Sequence, residues 1–373
     1  MCLPLNSKSW NCLQSVVDPR LKRNQRHNLV DILVIALCGF LAGCEGWVDV
    51  EWFGIGKRDW LEKFLELPNG IPSHDTFGRV FALLDPQQLA KVLQEFVQAV
   101  IGPVQGEAVA IDGKTLAGSG ETTTGKKALH LVSAWATKHG VVLGQVATSV
   151  KSNEITAIPA LLQLLDLRGA TVTIDAMGCQ KAIAQQVRDQ GADYLLAVKG
   201  NQENLQKLLQ FYFGRGHSNL ERWKLKTLEK DHGRVDQRSY TVMAAPLAIC
   251  RLWPDAKSIV RACRETTIQG EKTQEVRDFI SSLPPKVETL ASLVRGHWGI
   301  ENKLHWSLDV TFREDQSRIR QGHAAENAAL LRRLALSILK QDTRYSNSLR
   351  GKRLRAAWEN RVLEHFLTIF AGN

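Results

Sequence analysis

TVTIDAMGCQKAIAQQVRDQGADYLLAVKGNQENLQKLLQFYF, residues 171–213, decides the fold. A short apolar run closes on an acid at Asp175, an amphipathic stretch covers 179–190, a second apolar run spans 194–199, and another amphipathic stretch covers 202–213. Period two gives way to period 3.6 and back again, which predicts strand, helix, strand, helix. Strands separated by helices of this length pair in parallel, with the helices laid on the sheet.

Toward the N-terminus, a helix over 154–167 is preceded by β-rich runs at 108–112 (AVAID), 128–136 (ALHLVSAWA) and 141–149 (VVLGQVATS). They are joined by a Gly/Thr-rich loop and by His139-Gly140, which predicts a three-strand antiparallel meander. A meander followed by βαβ units implies an α/β fold with a mixed sheet flanked by helices, the order of an RNase H-like core. Toward the C-terminus, strand-like runs near 223–228, 238–244 and 257–265, and a last strand ending at 279–283, read as a β-rich insertion. Helical pattern then resumes, with apolar faces at 287–308, 324–340 and 351–370. Ahead of the meander, residues 28–44, 46–67 and 85–100 are helical in pattern, Pro68-Asn69-Gly70 is a turn, and Ser73 is placed as an N-cap. The expected organisation is an N-terminal helical unit at 1–105 placed for DNA binding and a catalytic domain at 106–213 and 286–345. The insertion occupies 214–285, and a C-terminal helix occupies 346–373.

The chain has 373 residues, 44% hydrophobic and 23% charged, which describes a folded globular protein of two or three structural units. Lys plus Arg exceed Asp plus Glu by 48 − 38 = 10, and that excess favours a polyanionic partner, nucleic acid first. The seven cysteines are odd in number and scattered, with no CxxC pair, so neither a disulfide framework nor a zinc ribbon is supported. The most apolar stretch, Ile32 to Cys44, has 13 residues, short of the roughly 18 that a membrane span needs. No secretory signal pattern opens the chain, and the expected setting is cytoplasmic, without a membrane.

Gly120 to Lys126 matches the first seven positions of a phosphate-binding loop, but Lys127 stands where a magnesium-binding hydroxyl is required and no helix follows. Asp112, closing an apolar run before Gly113-Lys114-Thr115, taken alone reads first as a hairpin turn. Asp175, taken alone, reads first as a helix N-cap. Both acids nevertheless fall at strand ends or edges, where open α/β sheets place ligands. The densest segment is His297-Trp298-Gly299-Ile300-Glu301-Asn302-Lys303-Leu304-His305-Trp306-Ser307-Leu308-Asp309-Val310, in which helical spacing puts His297, Glu301 and His305 on one face. A buried amphipathic helix is the alternative, and no HExxH pattern supports zinc. Carboxylates from two strands and a helix, Asp112, Asp175 and Glu301, are hard oxygen ligands suited to two Mg²⁺ or Mn²⁺ ions and to in-line phosphoryl transfer on a nucleic-acid backbone.

These blocks, together with Gly70 to Phe77, Lys151-Ser152-Asn153-Glu154-Ile155, Lys199-Gly200-Asn201-Gln202 and His232-Gly233-Arg234, resemble the ISAs-type insertion-sequence transposases. These are also described as H-repeat-associated proteins, within the DDE transposases of RNase H-like fold. The resemblance runs from about Asp18 to the last helices. It implies an Asp-Asp-Glu triad at Asp112, Asp175 and Glu301, Mg²⁺ or Mn²⁺ as cofactor, and nicking and joining of DNA at terminal inverted repeats and target. It also implies a homodimer in the synaptic complex. Where the broader group carries Tyr, Arg and Lys around the glutamate, this chain has Val294, His297 and Leu308. Candidate DNA contacts are Lys114, Lys199, Arg234, Arg295, His297, Trp298, Asn302, Lys303 and His305, with Arg20, Arg23 and Arg26 from the basic N-terminal cluster. Trp223, Trp253 or Trp298 is placed to stack on an extruded base. Two alternatives share these residues: a DNA-binding relative without turnover, and an RNase H-like nuclease acting on structured substrates.

Overall fold

The computed structural model describes residues 7–121, 125–148, 154–214, 220–231 and 234–372. Thr122 to Thr124 of the phosphate-loop-like segment, Lys151 to Asn153, and His232-Gly233 lie outside them.

Leu29–Ala42 is apolar at nearly every position and folds into a buried helix, whose one charged residue, Asp31, is itself buried and accepts the Leu67 N–H at 3.0 Å. It ends at Gly43, whose φ of 109° is open to glycine at little steric cost. This helix, α2, follows a short α1 (Lys8–Gln14). On it packs α3 (Trp47–Gly56), and the turn-length α4 (Arg58–Leu61), α5 (His74–Leu83) and α6 (Pro86–Ile101) contribute to the same apolar core. Ser73 Oγ accepts the Thr76 N–H, the cap expected from sequence, and Asp85 caps α6 ahead of Pro86. No single described helix is long and apolar enough to cross a membrane; α2 and α3 meet that test only as a pair bent by 96°.

The meander is present as β1 (Ala108–Leu116), β2 (Leu129–Ala136) and β3 (Val141–Ala147), all antiparallel. Then α7 (Glu154–Gln163) leads to β4 (Thr171–Ile174), α8 (Lys181–Asp189) to β5 (Asp193–Val198), and α9 (Glu203–Phe213) leaves the core. Parallel pairing joins β1 to β4 and β4 to β5. The order β3-β2-β1-β4-β5 is that of an RNase H-like sheet.

The inserted strands are β6 (Trp223–Asp231), β7 (Arg234–Ala244), β8 (Ser258–Ile268) and β9 (Glu271–Ser281), with a turn of helix, α10 (Leu247–Cys250), after β7. They continue the core sheet, since Asp278–Ser281 of β9 pairs antiparallel with residues 195–198 of β5 and gives nine strands in all. The turn between β8 and β9 uses Gln269 and Gly270, both at positive φ, the geometry that matches the twist of a tight hairpin.

Two helical expectations are corrected. The segment 287–308 is α11 (Val287–His297), a wider turn over Ile300–His305, and α12 (Trp306–Val310). In that wider turn the Trp306 N–H reaches back five residues to the Glu301 carbonyl. The C-terminal segment, expected as one helix, is α14 (Leu349–Trp358) and α15 (Asn360–Ala371), broken where Glu359 takes an extended conformation. Both pack on the N-terminal helices, with Trp60 Nε1 donating to Glu364 Oε1 at 2.9 Å. Between these parts runs α13 (Ala324–Gln341), which touches α2, α5, α6 and β3 and joins the helical layer to the sheet.

Candidate active site

Ile111 of β1 lies opposite Ile174 of β4, so the residues that follow, Asp112 and Asp175, stand side by side on adjacent parallel strands. The turn reading of Asp112-Gly113 is thereby excluded: both lie within β1, opposite Ser133 and Val132 of β2. Asp175 does not cap α8 either. Its Oδ1 accepts the backbone N–H groups of Met177 (3.0 Å) and Gly178 (3.4 Å), which folds the loop back on the end of β4.

Strand alternation puts Ala110, Asp112 and Lys114 on one face of β1, with Thr173 and Asp175 on the matching face of β4. The glutamate segment lies over this face. His297 Nδ1 is 2.9 Å from Thr173 Oγ1, and His305 Nδ1 is 3.6 Å from Asp112 Oδ2. Glu301 is exposed and opens into a cleft of about 250 Å³, with Arg234, Arg238, Arg264, Arg277, Arg295, Trp298 and Asn302 in its walls. The Ile300–His305 turn gains one residue per turn over an α-helix, a deviation often found at functional sites, and it interrupts the regular face predicted from spacing.

Burial is the largest influence on Asp112, and with the negative charges of Asp175, Glu154 and Glu301 it pushes the carboxyl up to about 7, against a hydrogen bond from the Gly113 N–H. The three expected acids therefore share one electrostatic neighbourhood, and Glu154 belongs to it as well. Among the described residues no group of three or more His, Cys, Asp and Glu side chains is placed to hold a metal ion. Burial also sets the two histidines, lowering His297 to about 4 and, with the charges of Arg333 and Lys114, His305 to about 3. Both rings are neutral near pH 7.

On the opposite face, His130 Nε2 lies 2.7 Å from Glu154 Oε1 and its Nδ1 lies 2.8 Å from Thr115 Oγ1. This pair sits against Gly113, where a Cβ would lie 2.1 Å from Glu154 Oε1 and 2.4 Å from His130 Nε2, so any larger residue must displace the pair. Glu154 was visible in sequence only as part of a resembling block.

The candidate DNA contacts divide. Lys199, Arg234, Arg295, Asn302, Lys303, Arg23 and Arg26 are exposed, and Trp298 is partly exposed with the Arg277 guanidinium 4.0 Å from its ring centre. The others are engaged within the chain. Lys114 is turned inward to Asp309 and Asp315, Arg20 is held by Asp18 and the His27 carbonyl, and His305 is buried. Trp253 is a core residue and has no face for a base. Of the arginine wall of the cleft, Arg234 and Arg295 were expected as DNA contacts, whereas Arg238, Arg264 and Arg277 were not, because charge alternation along β7, β8 and β9 looks like an ordinary solvated face. In the fold, Asp236 gathers Arg234, Arg238 and Arg264. Burial opposes ionisation there, but hydrogen bonds from Arg264 and Thr266 outweigh it and hold the carboxyl well below the usual range.

Comparison with known proteins is consistent with this geometry. Residues 104–338 match the family described as Transposase DDE domain, and residues 10–97 match the one described as DDE_Tnp_1-associated. "Putative transposase YncI" of Escherichia coli O157:H7 is 39% identical over 359 residues, 94% of this chain and 92% of that protein. "H repeat-associated putative transposase YhhI" of Escherichia coli (strain K12) is 38% identical over 94% of this chain and 95% of that protein. The cryo-EM piggyBac transposase synaptic complex with hairpin DNA aligns over 95% of this chain and 84% of that one, at 10% identity and a TM-score of 0.41, too distant to carry weight.

Proposed function

This chain belongs to the Transposase DDE domain family, and from that premise we propose that it cleaves and joins DNA at the ends of its own insertion sequence, with Asp112, Asp175 and Glu301 as the catalytic acids. The observation that carries the proposal is the pairing of Ile111 with Ile174, which sets two aspartates side by side beneath the segment that bears Glu301. Their hard oxygen donors suit Mg²⁺ or Mn²⁺, two per site, and the mutual repulsion felt at Asp112 is what a divalent cation relieves. When bound, such ions supply charge stabilisation at the phosphate and a more acidic water or 3′-hydroxyl.

The chain's own residues do the remaining work. Neutral His297 holds Thr173, and with it the end of β4, against α11. Arg277 and Arg295, beside Glu301 in the cleft, carry planar guanidinium groups for which backbone phosphates compete with their present partners, Glu275 and Glu229. Trp298, braced by Arg277, presents an aromatic face at the same entrance. The exposed Arg23 and Arg26 extend the phosphate-contacting surface to the N-terminal unit, and a homodimer brings two DNA ends together.

The test is a cleavage and strand-joining assay in Mg²⁺ and Mn²⁺ on a duplex taken from the flanks of the gene encoding this chain. Asp112→Asn, Asp175→Asn and Glu301→Gln are each expected to bind that duplex and to abolish both products. Full activity in any one removes that residue from the site, and specific binding without cleavage in the unaltered chain identifies a relative without turnover.

A further inference from the structure

Lys114 lies two residues beyond Asp112 on the same face of β1, yet it faces inward. Its side chain is only 7% exposed, with Nζ 2.8 Å from Asp309 Oδ1 and 2.7 Å from Asp315 Oδ1. Asp309 belongs to α12, which continues directly from the turn that carries Glu301. Asp315 lies in the next turn, Glu314–Gln316, whose Glu314 is paired at 2.8 Å with Arg333 of α13. Arg333 Nε in turn reaches Ser133 Oγ at 3.4 Å, and Ser133 is the β2 residue opposite Asp112. A lysine serving DNA would send its ammonium outward. This one instead spans from the strand of the first acid to the segment of the third.

We propose that Lys114 is a positioning residue, which ties the strand bearing Asp112 to the segment bearing Glu301 through Asp309 and Asp315 and so fixes the spacing of the two acids. The proposal rests on the reading of Asp112 and Glu301 as partners. When no cation is present the negative charge of Glu301 adds to those of Asp175 and Glu154 against Asp112, which works against close approach of the Ile300–His305 turn to β1. An ammonium between two carboxylates draws that segment toward β1 instead; the lysine is buried, whereas Asp309 and Asp315 are 35% and 42% exposed, so water screens the attraction in part. Leu304 and Leu308 hold the same segment by burial, but apolar contact does not set its rotation as directed charges do. Lys114 is in this sense the counterpart of the side chains that orient the ligands of a metal site.

The experiment titrates Mn²⁺ alone into the full chain, following the free ion by electron paramagnetic resonance. Binding and cleavage of the gene-flank duplex are measured beside it for Lys114→Met, Lys114→Arg, Asp309→Asn and Asp112→Asn. Lys114→Met is expected to leave duplex affinity unchanged while raising half-saturating Mn²⁺ by about 10-fold or more, the usual scale for losing such support. Asp309→Asn should shift it in the same direction by less, and Lys114→Arg should restore most of the loss. Wild-type Mn²⁺ affinity in folded Lys114→Met overturns the proposal. Weakened duplex binding with unchanged Mn²⁺ affinity does so too, because it would make Lys114 a DNA contact. If Lys114→Met does not fold, Asp309→Asn decides on the same criteria. Wild-type Mn²⁺ binding by Asp112→Asn refutes the site reading itself and takes this proposal with it, whereas loss in Asp112→Asn without a shift in Lys114→Met refutes the positioning role alone.

Discussion

Replacing Arg333 by Met tests the polar support behind the candidate site. Arg333 and Glu314 are both fully buried and meet at 2.8 Å. Arg333 also donates to the Ala329 carbonyl at 3.2 Å. Among the described residues, Arg333 Nη2 and Glu314 Oε2 have no hydrogen-bond partner. The pair has lost its hydration without recovering every bond, so its net contribution is small while each member alone is unstable in the core. Arg333→Met or Glu314→Leu should therefore cost about 3–5 kcal/mol, and the double variant should lie within about 1–2 kcal/mol of the original chain. At roughly 2 °C per kcal/mol for a large chain, each single variant should lower the thermal midpoint by about 6–10 °C. Circular dichroism melts of all four proteins in one buffer give the comparison. Single variants within about 1 kcal/mol of the original, or a double variant as unstable as the sum of the singles, would refute the reasoning.

Other expectations follow from single contacts. Burial holds His297 near 4 against 6.5 when unfolded, so between those values the unfolded chain takes up a proton that the folded chain refuses. Stability should fall as pH drops through that window, by about 2 kcal/mol near pH 5, and be regained above about pH 6.5; urea melts at both pH values should show less acid sensitivity in His297→Gln, and equal sensitivity would count against a buried neutral ring. Asn327 Nδ2 donates to the carbonyls of Phe81 (2.9 Å) and Leu84 (2.8 Å) at the end of α5. Asn327→Ala should cost about 2–3 kcal/mol in urea unfolding, and a loss under about 0.5 kcal/mol would mean that water replaces the amide. Gly113→Ala should separate His130 from Glu154, cost about 1–3 kcal/mol and reduce cleavage, whereas unaltered stability would show that the pair yields without strain.

Much of this site was legible before any coordinates. AVAID and TVTID each end an apolar run on an acid, which located both strands; taken singly the acids read as a turn and a cap, and their common place at strand ends made the pair plausible. Ser73 and the short connections announced their own turns for equally local reasons. What stayed hidden depended on distant partners. Nothing near Leu195 foretells Ser281 as its neighbour, so the continuity of the insertion with the core sheet was invisible. Helical periodicity cannot register one added residue in a turn, and the shift at Ile300–His305 was missed. A basic residue after an acid looks like a phosphate contact, and only the approach of Asp309 and Asp315 shows that Lys114 faces inward.

Asp112 is proposed above as part of a metal-dependent DNA-cleaving site. Calorimetric titration of Mg²⁺ and of Mn²⁺ into the chain bound to its gene-flank duplex, run for the original protein and Asp112→Asn beside a cleavage gel, tests it most directly. Saturable metal binding and cleavage are expected in the original protein and should vanish together in Asp112→Asn. Duplex binding without either signal in the original protein, or both signals preserved in Asp112→Asn, would contradict it.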